Sequence, residues 1–446
     1  MRCAAPRLDS SRAMSLSKAL AVIFAATAAA ADMACPGPAP NSSPRTANGV
    51  SWKVLTNQIS QPRQLVQDTL GNILMAEGKG LRRLELDRAE GMDLCVKSST
   101  QFVVDETLNH GIALTADGKT LFASSSTDVY AYTYDAATGV AGPARNVITG
   151  MNQTGHVTRT LYIPPENPDL LLVTRGSNDN VDPGTADIGS GRSQLRVFHV
   201  ADLVNGKHAV DYTEGDVMGW GLRNSVGMGQ DPTTGNIWSV ENSLDDMKRL
   251  GDDIHNSNPG EEMNFHGRPN DTAGYHYGRN FGYPGCLSMF DTASVKDYAG
   301  GTREPTVGAQ FMGDHQPQYS DLWCRRHATP PRITFGSHLA PLDVKFLHDG
   351  SAALIAFHGS WNRQPPNGYR LSRVSFANGN PVKRSHEGDA EEMLMWNSDN
   401  SDCEKHCFRP AGLLLDRQGR LFMTSDATGE LFLVMGAQNK GVKANP

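Results

Sequence analysis

Arg63-Gln64-Leu65-Val66, then Asp68-Thr69-Leu70-Gly71, then an apolar run ending at Glu77: a cationic start, an apolar stretch, a Gly-bearing turn and a second apolar stretch. The order recurs five times. The later starts are His110-Gly111-Ile112-Ala113, His156-Val157-Thr158-Arg159, Arg223-Asn224-Ser225-Val226, His338-Leu339-Ala340-Pro341 and Arg409-Pro410-Ala411-Gly412. Their turns are Asp117-Gly118, Glu166-Asn167-Pro168-Asp169, Asp231-Pro232-Thr233-Thr234-Gly235, Asp349-Gly350 and Asp416-Arg417-Gln418-Gly419. Strand-turn-strand units at this spacing predict an all-β, six-bladed β-propeller. Each hairpin returns the chain to the face it left. The six starts therefore share one channel mouth with the second-strand ends Glu77, Ser125, Ser177-Asn178, Glu241-Asn242, the run His358-Gly359-Ser360-Trp361-Asn362 and Asp426.

Bulk composition agrees. The chain has 446 residues, 39% hydrophobic and 20% charged, with 45 Gly and 25 Pro, which supports a large core and many turns. A net charge of −7 argues against a basic nucleic-acid-binding surface. Residues 1–31 read as a signal peptide, with Lys18 before an Ala-rich apolar run too short to span a membrane, so secretion to the extracellular space is expected. A short tail over 32–49, the propeller over 50–436 and a C-terminal tail over 437–446 complete the division. The segment Val50-Ser51-Trp52-Lys53-Val54-Leu55 is expected to supply an outer strand to the last blade. A long polar insertion, 242–332, is expected between the fourth and fifth repeats, where long loops build binding surfaces. With Cys3 removed, six cysteines remain, enough for three disulfides in an oxidising compartment. Cys403 with Cys407, Cys286 with Cys324 and Cys35 with Cys95 are candidate pairs, although sequence alone does not settle connectivity. Paired Cys-x-x-Cys spacing, which zinc would need, is missing. Sequons begin at Asn41, Asn152 and Asn270.

The chemistry follows from the ring. Arg63, Arg223 and Arg409 would repel one another unless an anion sat between them, and guanidinium forks grip carboxylates bidentately. A flat polyanionic ligand is the expectation. His156 is the candidate base, with Arg159 close by and Ser177-Asn178 ending the paired strand. His110 and His338 are expected to be structural, Glu241 to serve its turn, and Trp361 to be either core filling or part of the site.

Six motifs carry a resemblance: Gly155-His156-Val157-Thr158-Arg159, the run from Arg175 to Asp182, Gly221-Leu222-Arg223-Asn224-Ser225-Val226-Gly227, Asn280-Phe281-Gly282-Tyr283-Pro284, the run from His358 to Arg363, and Arg409-Pro410-Ala411-Gly412. Over 50–435 the chain resembles the sorbosone dehydrogenase family, akin to soluble glucose dehydrogenases, and within it the fungal secreted pyranose dehydrogenases of auxiliary activity family 12 (AA12). The resemblance implies pyrroloquinoline quinone (PQQ) and Ca2+ as cofactors. It implies oxidation of an aldose or pyranose at C1, with hydride passing to the quinone and electrons onward to an external acceptor such as a secreted cytochrome. His156 would be the general base, with Arg223 and Asn224 steadying the oxygen that gains charge. Arg63, Arg223 and Arg409 would neutralise the quinone carboxylates, and His358, Trp361 and Asn362 would shape the pocket. Calcium would rest on the backbone carbonyls of Ser243 and Leu244, in a turn, Glu241-Asn242-Ser243-Leu244-Asp245, that departs from the pattern of relatives. No membrane partner is expected, and the chain is expected to act as a monomer. A calcium-dependent lactonase or esterase on a similar scaffold is the rival reading. It would hold its metal with inward carboxylates and Asn, where this chain has Arg and His.

Overall fold

The computed structural model describes residues 35–87, 89–301, 304–388, 390–401, 403 and 407–436. The expected signal peptide and C-terminal tail lie outside the described residues. Each sequence hairpin forms the two inner strands of a blade, and six such sheets make up the propeller. The first blade runs Leu65–Gln67, Ile73–Glu77, Gly80–Leu86 and Val96–Val104 outward from the channel. In the last blade Pro410–Leu415, Leu421–Ser425 and Glu430–Met435 are joined by Ser51–Thr56, antiparallel to Glu430–Met435. That N-terminal strand closes the ring as expected.

Alternation explains why each second strand is a continuous apolar run. Successive side chains point to opposite faces, and both faces meet a neighbouring blade. Ile73 and Met75 enter the core shared with the sixth blade, while Leu74 and Ala76 enter the core shared with the second. The other wedges are filled in the same way. The channel is stitched by buried polar residues: Gln64 donates to the Leu161 carbonyl at 2.8 Å, and the Asp343 carboxylate accepts from the Leu413 amide at 2.8 Å.

The insertion falls between the fourth and fifth hairpins and belongs to the fourth blade. Ser225–Gln230 and Ile237–Glu241 are followed by 242–260, a third strand Glu261–Gly267, a second excursion 268–332, and the outer strand Ile333–Phe335. The third strand escaped the sequence reading because its inward positions are Glu and Asn rather than apolar residues. The excursions build their own core from Leu244, Met247, Tyr283, Leu287, Met289 and Phe311, next to the Cys286–Cys324 disulfide. Cys35–Cys95 and Cys403–Cys407 form the other two expected pairs. Among the described residues no helix is long and apolar enough to cross a membrane.

Candidate functional site

At the predicted mouth, hydrogen bonds pass from each blade to the next around the whole ring. Arg63 Nε donates to His110 Nδ1 at 3.1 Å, Asn109 Nδ2 to the Val157 carbonyl at 3.0 Å, and the Ser177 amide to the Arg223 carbonyl at 2.8 Å. Asn242 Nδ2 donates to the Pro341 carbonyl at 2.8 Å, Arg409 Nε to the His358 carbonyl at 3.1 Å, and Thr424 Oγ1 to the Arg63 carbonyl at 2.9 Å. All six repeat starts are thus brought to one mouth, as their phase predicts.

One arc spans blades five, six and one. Asp426 lies between Arg63, whose Nη1 is 2.5 Å from Oδ2, and His358, whose Nε2 donates to Oδ1 at 2.8 Å. Burial alone would raise the Asp426 carboxyl, but His358 and Arg63 more than reverse that and hold it well below the usual carboxylate range. Arg409 caps the His358 and Gly359 carbonyls and stacks 5.4 Å over the Tyr369 ring. Gly359 has φ +95°, and a Cβ there would meet that ring at 2.3 Å, which is why the His-Gly-Ser-Trp-Asn stretch needs glycine at its second place. Arg63 Nη2 and Arg409 Nη1 have no hydrogen-bond partner among the described residues.

The second arc spans blades three and four. His156 Nδ1 sits 2.9 Å from Ser177 Oγ and 3.2 Å from the Ser177 carbonyl. Ser177 Oγ spends its own proton on the Asp179 carbonyl at 2.6 Å, so His156 carries its proton on Nδ1 and leaves the Nε2 lone pair available. Burial, then the Arg223 charge, lowers the His156 pKa to about 4, so the ring is neutral near pH 7. Fully buried Arg159 holds the loop from beneath through the His156 carbonyl at 2.6 Å and the Thr158 carbonyl at 2.8 Å. Behind the imidazole stands Gly176, where a Cβ would lie 2.7 Å from His156 Cβ and 2.9 Å from Asn224 Oδ1.

Arg223 is 3% exposed and spends all five N–H donors within the protein. Nε reaches the Asn180 carbonyl at 3.2 Å, Nη1 the carbonyls of Asn242 (3.2 Å) and Ser243, and Nη2 Asn180 Oδ1 at 2.8 Å and Asp245 Oδ2 at 2.9 Å. Asp245 also faces His338, whose Nδ1 is 3.4 Å from Oδ1 while its Nε2 donates to the His255 carbonyl at 2.8 Å. Both imidazole nitrogens face acceptors. Burial opposes the charge on His338, but Asp245 and Glu261 outweigh it and the pKa is raised. Beneath lie three buried carboxylates: Glu241 accepts from the Arg223 amide at 2.5 Å, Glu261 from the Ser243 amide at 2.7 Å, and Glu262 from Asn264 Nδ2 at 3.0 Å. Burial pushes Glu261 up to about 7, and burial with the neighbouring carboxylate raises Glu241.

One expectation changes. The arginines do not need an external anion to coexist, because Asp426 neutralises Arg63 and Asp245 neutralises Arg223. The Ser243 carbonyl, expected under calcium, accepts from Arg223. Trp361 is 68% exposed, so it is not core filling. Asn362 ties the blade-five loop to the insertion through Asp246, donating from Nδ2 at 2.8 Å, and Asn224 stands beside Gly176. The sequence reading missed Asn180 and Asp245 as partners of Arg223. Their only signal was position, in the two loops that flank it.

A family model described as TrAA12-like matches residues 44–437. A "Pyrroloquinoline quinone-dependent sugar dehydrogenase" from Hypocrea jecorina is 40% identical over 89% of this chain and 90% of its own length. A "Pyrroloquinoline quinone-dependent pyranose dehydrogenase" from Coprinopsis cinerea is 36% identical over 90% of this chain, which spans 56% of that protein. The calcium structure of the Trichoderma reesei AA12 enzyme superposes with a TM-score of 0.85 at 41% identity, covering 89% of this chain and 97% of that one. The holo PQQ domain of the Coprinopsis cinerea pyranose dehydrogenase gives a TM-score of 0.83 at 35% identity, covering 90% and 99%. By fold and sequence, the chain belongs to the TrAA12-like family, the AA12 quinone-dependent dehydrogenases.

Proposed function

We propose that this protein is a secreted, PQQ-dependent sugar dehydrogenase that oxidises a pyranose at C1 and passes electrons to an external acceptor. The observation that carries the reading is His156: a neutral imidazole at the mouth, its tautomer set by Ser177, with Nε2 free to take a proton. When bound, the quinone supplies a two-electron acceptor for the hydride. Its carboxylates fit the free N–H groups of Arg63 Nη2 and Arg409 Nη1, the unspent donors of two converging guanidiniums. His358, oriented by Asp426, and Asn224, beside His156, border the same space. Trp361 offers an exposed ring where a sugar can stack. His156 takes the hydroxyl proton at Nε2, while Arg159 and Gly176 keep the imidazole in place.

Calcium is a hard cation that takes oxygen ligands. The donor set around the Arg223 guanidinium is of that chemistry, namely carbonyls of Asn180, Asn242 and Ser243 with the Asp245 carboxylate. Those residues are the candidate holders. The test is reconstitution: quinone-free protein supplied with PQQ and calcium should reduce a dye in the presence of free aldoses. Dye reduction that does not depend on added quinone would sink the proposal, and lactone hydrolysis without quinone would favour the hydrolase reading. Gel filtration checks the expected monomer.

A further inference from the structure

We propose that the groove between the second excursion of the insertion and blade five binds an acidic polysaccharide, with Arg325, Arg332 and Arg384 holding uronate carboxylates and Tyr275 taking a sugar ring. The inference does not rest on the quinone reading.

The groove has a volume of about 960 Å3, the scale of a whole small-ligand site. It stands away from the channel mouth. Phe265, one of its lining residues, pairs with Trp238 toward the end of its strand that leaves the mouth. Asn380 and Pro381, on the opposite wall, pair with the far end of Arg370–Ala377.

Three arginines and one carboxylate, Glu304, line the groove, and no ion pair joins them among the described residues. Arg332 lies with Cζ 5.0 Å from the centre of the Phe265 ring, and its guanidinium has no hydrogen-bond partner among the described residues. Ser385 fixes the Arg384 loop beside it. The Thr334 amide donates to Ser385 Oγ at 2.7 Å, and that hydroxyl donates to the Arg332 carbonyl at 3.5 Å. Partial burial, then the Arg384 charge, lowers the Arg332 pKa. Glu387 accepts from the Arg384 backbone amide at 2.7 Å and forms no ion pair with its guanidinium. Aspartates neutralise Arg63 and Arg223 at the mouth; here two neighbouring guanidiniums stand unneutralised. An external carboxylate relieves that repulsion and suits the planar fork.

The remaining lining says which anion fits. Pro305, Val307, Pro330 and Pro331 give an apolar surface. Tyr275 is 74% exposed, with the Arg279 guanidinium 3.8 Å over its ring. Sugar rings pack their C–H faces on such surfaces, whereas an acidic peptide brings carboxylates without rings to pack. A chain of uronates supplies both.

Calorimetric titration of the quinone-free protein with a galacturonate oligomer tests this. The fully methyl-esterified oligomer, with the same rings and no charge, should bind at least about tenfold more weakly. Polyglutamate, with the charges and no rings, should also bind at least about tenfold more weakly. The double variant Arg332→Gln/Arg384→Gln should raise the Kd of the acid oligomer about tenfold, and salt should weaken binding to the parent, because exposed charges are screened. Tyr275→Ala should raise that Kd about threefold. Absence of binding, or equal binding of the ester, overturns the site. Polyglutamate binding as tightly as the oligomer overturns the polysaccharide in favour of an acidic peptide. An unchanged Kd in the double variant overturns the groove. The Tm checks folding, and if the double variant does not fold, Arg384→Gln alone, at an exposed position, is read with an expected loss of about threefold. Since neither quinone nor free aldose is present, a failure here leaves the dehydrogenase reading intact, and the reverse also holds.

Discussion

The two arcs of the mouth use the same residue types in opposite ways. In the arc of blades five, six and one, Arg63 and Arg409 keep one terminal nitrogen each unspent, and the Asp426 carboxylate is held ionised. In the arc of blades three and four, Arg223 is fully spent and sits over three buried carboxylates whose pKa values are raised. The first is built from hairpin ends alone. The second is capped by the insertion, which brings Asn242, Ser243 and Asp245 over the guanidinium and excludes water. Burial thus leaves Arg223 with every N–H donor spent within the protein, where Arg63 and Arg409 each keep one terminal nitrogen unspent.

Predictions that could break this contrast run from large to small. His156→Ala should lower kcat by about 10²–10⁴-fold while leaving the quinone Kd within about threefold, because it removes the base but neither free guanidinium. In the parent the rate should be flat at neutral pH and fall as pH drops through about 4, where His156 becomes protonated. A loss of quinone binding in His156→Ala would contradict its assignment as the base.

Removing the 38-residue Cys286–Cys324 link should cost about 4 kcal/mol by loop entropy, an upper figure, seen as a lower Tm. If the double Cys→Ser variant melts with the parent, the insertion is held by its apolar core alone.

The arcs should also respond to pH with opposite signs. Asp426 has a folded pKa below its unfolded value, so its contribution is present above about pH 4 and lost as pH falls. Asp426→Asn should cost about 2 kcal/mol at pH 7, with the gap closing in acid. Glu262 is raised by burial, so the parent loses stability as pH rises past the ordinary Glu range. Glu262→Gln should be near neutral at pH 5 and stabilising at pH 8 by denaturant unfolding. Curves of the same sign would erase the distinction between arcs.

The smallest effect on stability is expected at Trp361, 68% exposed. Trp361→Ala should shift unfolding by less than about 0.5 kcal/mol yet raise the sugar KM. An unchanged KM would move the sugar away from that loop.

Much of this was legible in the chain. The phase of six hairpins is a local property, set by turn chemistry and by strands buried on both faces, so Arg63, His156, Arg223, His358, Arg409 and Asp426 could be assigned to one mouth before any coordinates. The three disulfide pairs were legible only as candidates: Cys403 with Cys407 closes a small loop, Cys286 with Cys324 pins the insertion, and Cys35 with Cys95 ties down the N-terminal tail. The third strand of blade four was not legible. Of its polar inward positions, Asn264 donates from Nδ2 to Glu262 and to Glu241 across the sheet, and no local pattern announces a partner supplied from elsewhere.

The amino-acid sequence by itself determined the blade count, the closing strand and which residues share the mouth, because turns and two-faced apolar runs act over a few residues. Only the tertiary structure decided the charge state of that mouth. The aspartates that neutralise Arg63 and Arg223 lie 363 and 22 residues away in the chain, and Coulomb energy depends on distance in space, which strand order alone does not fix.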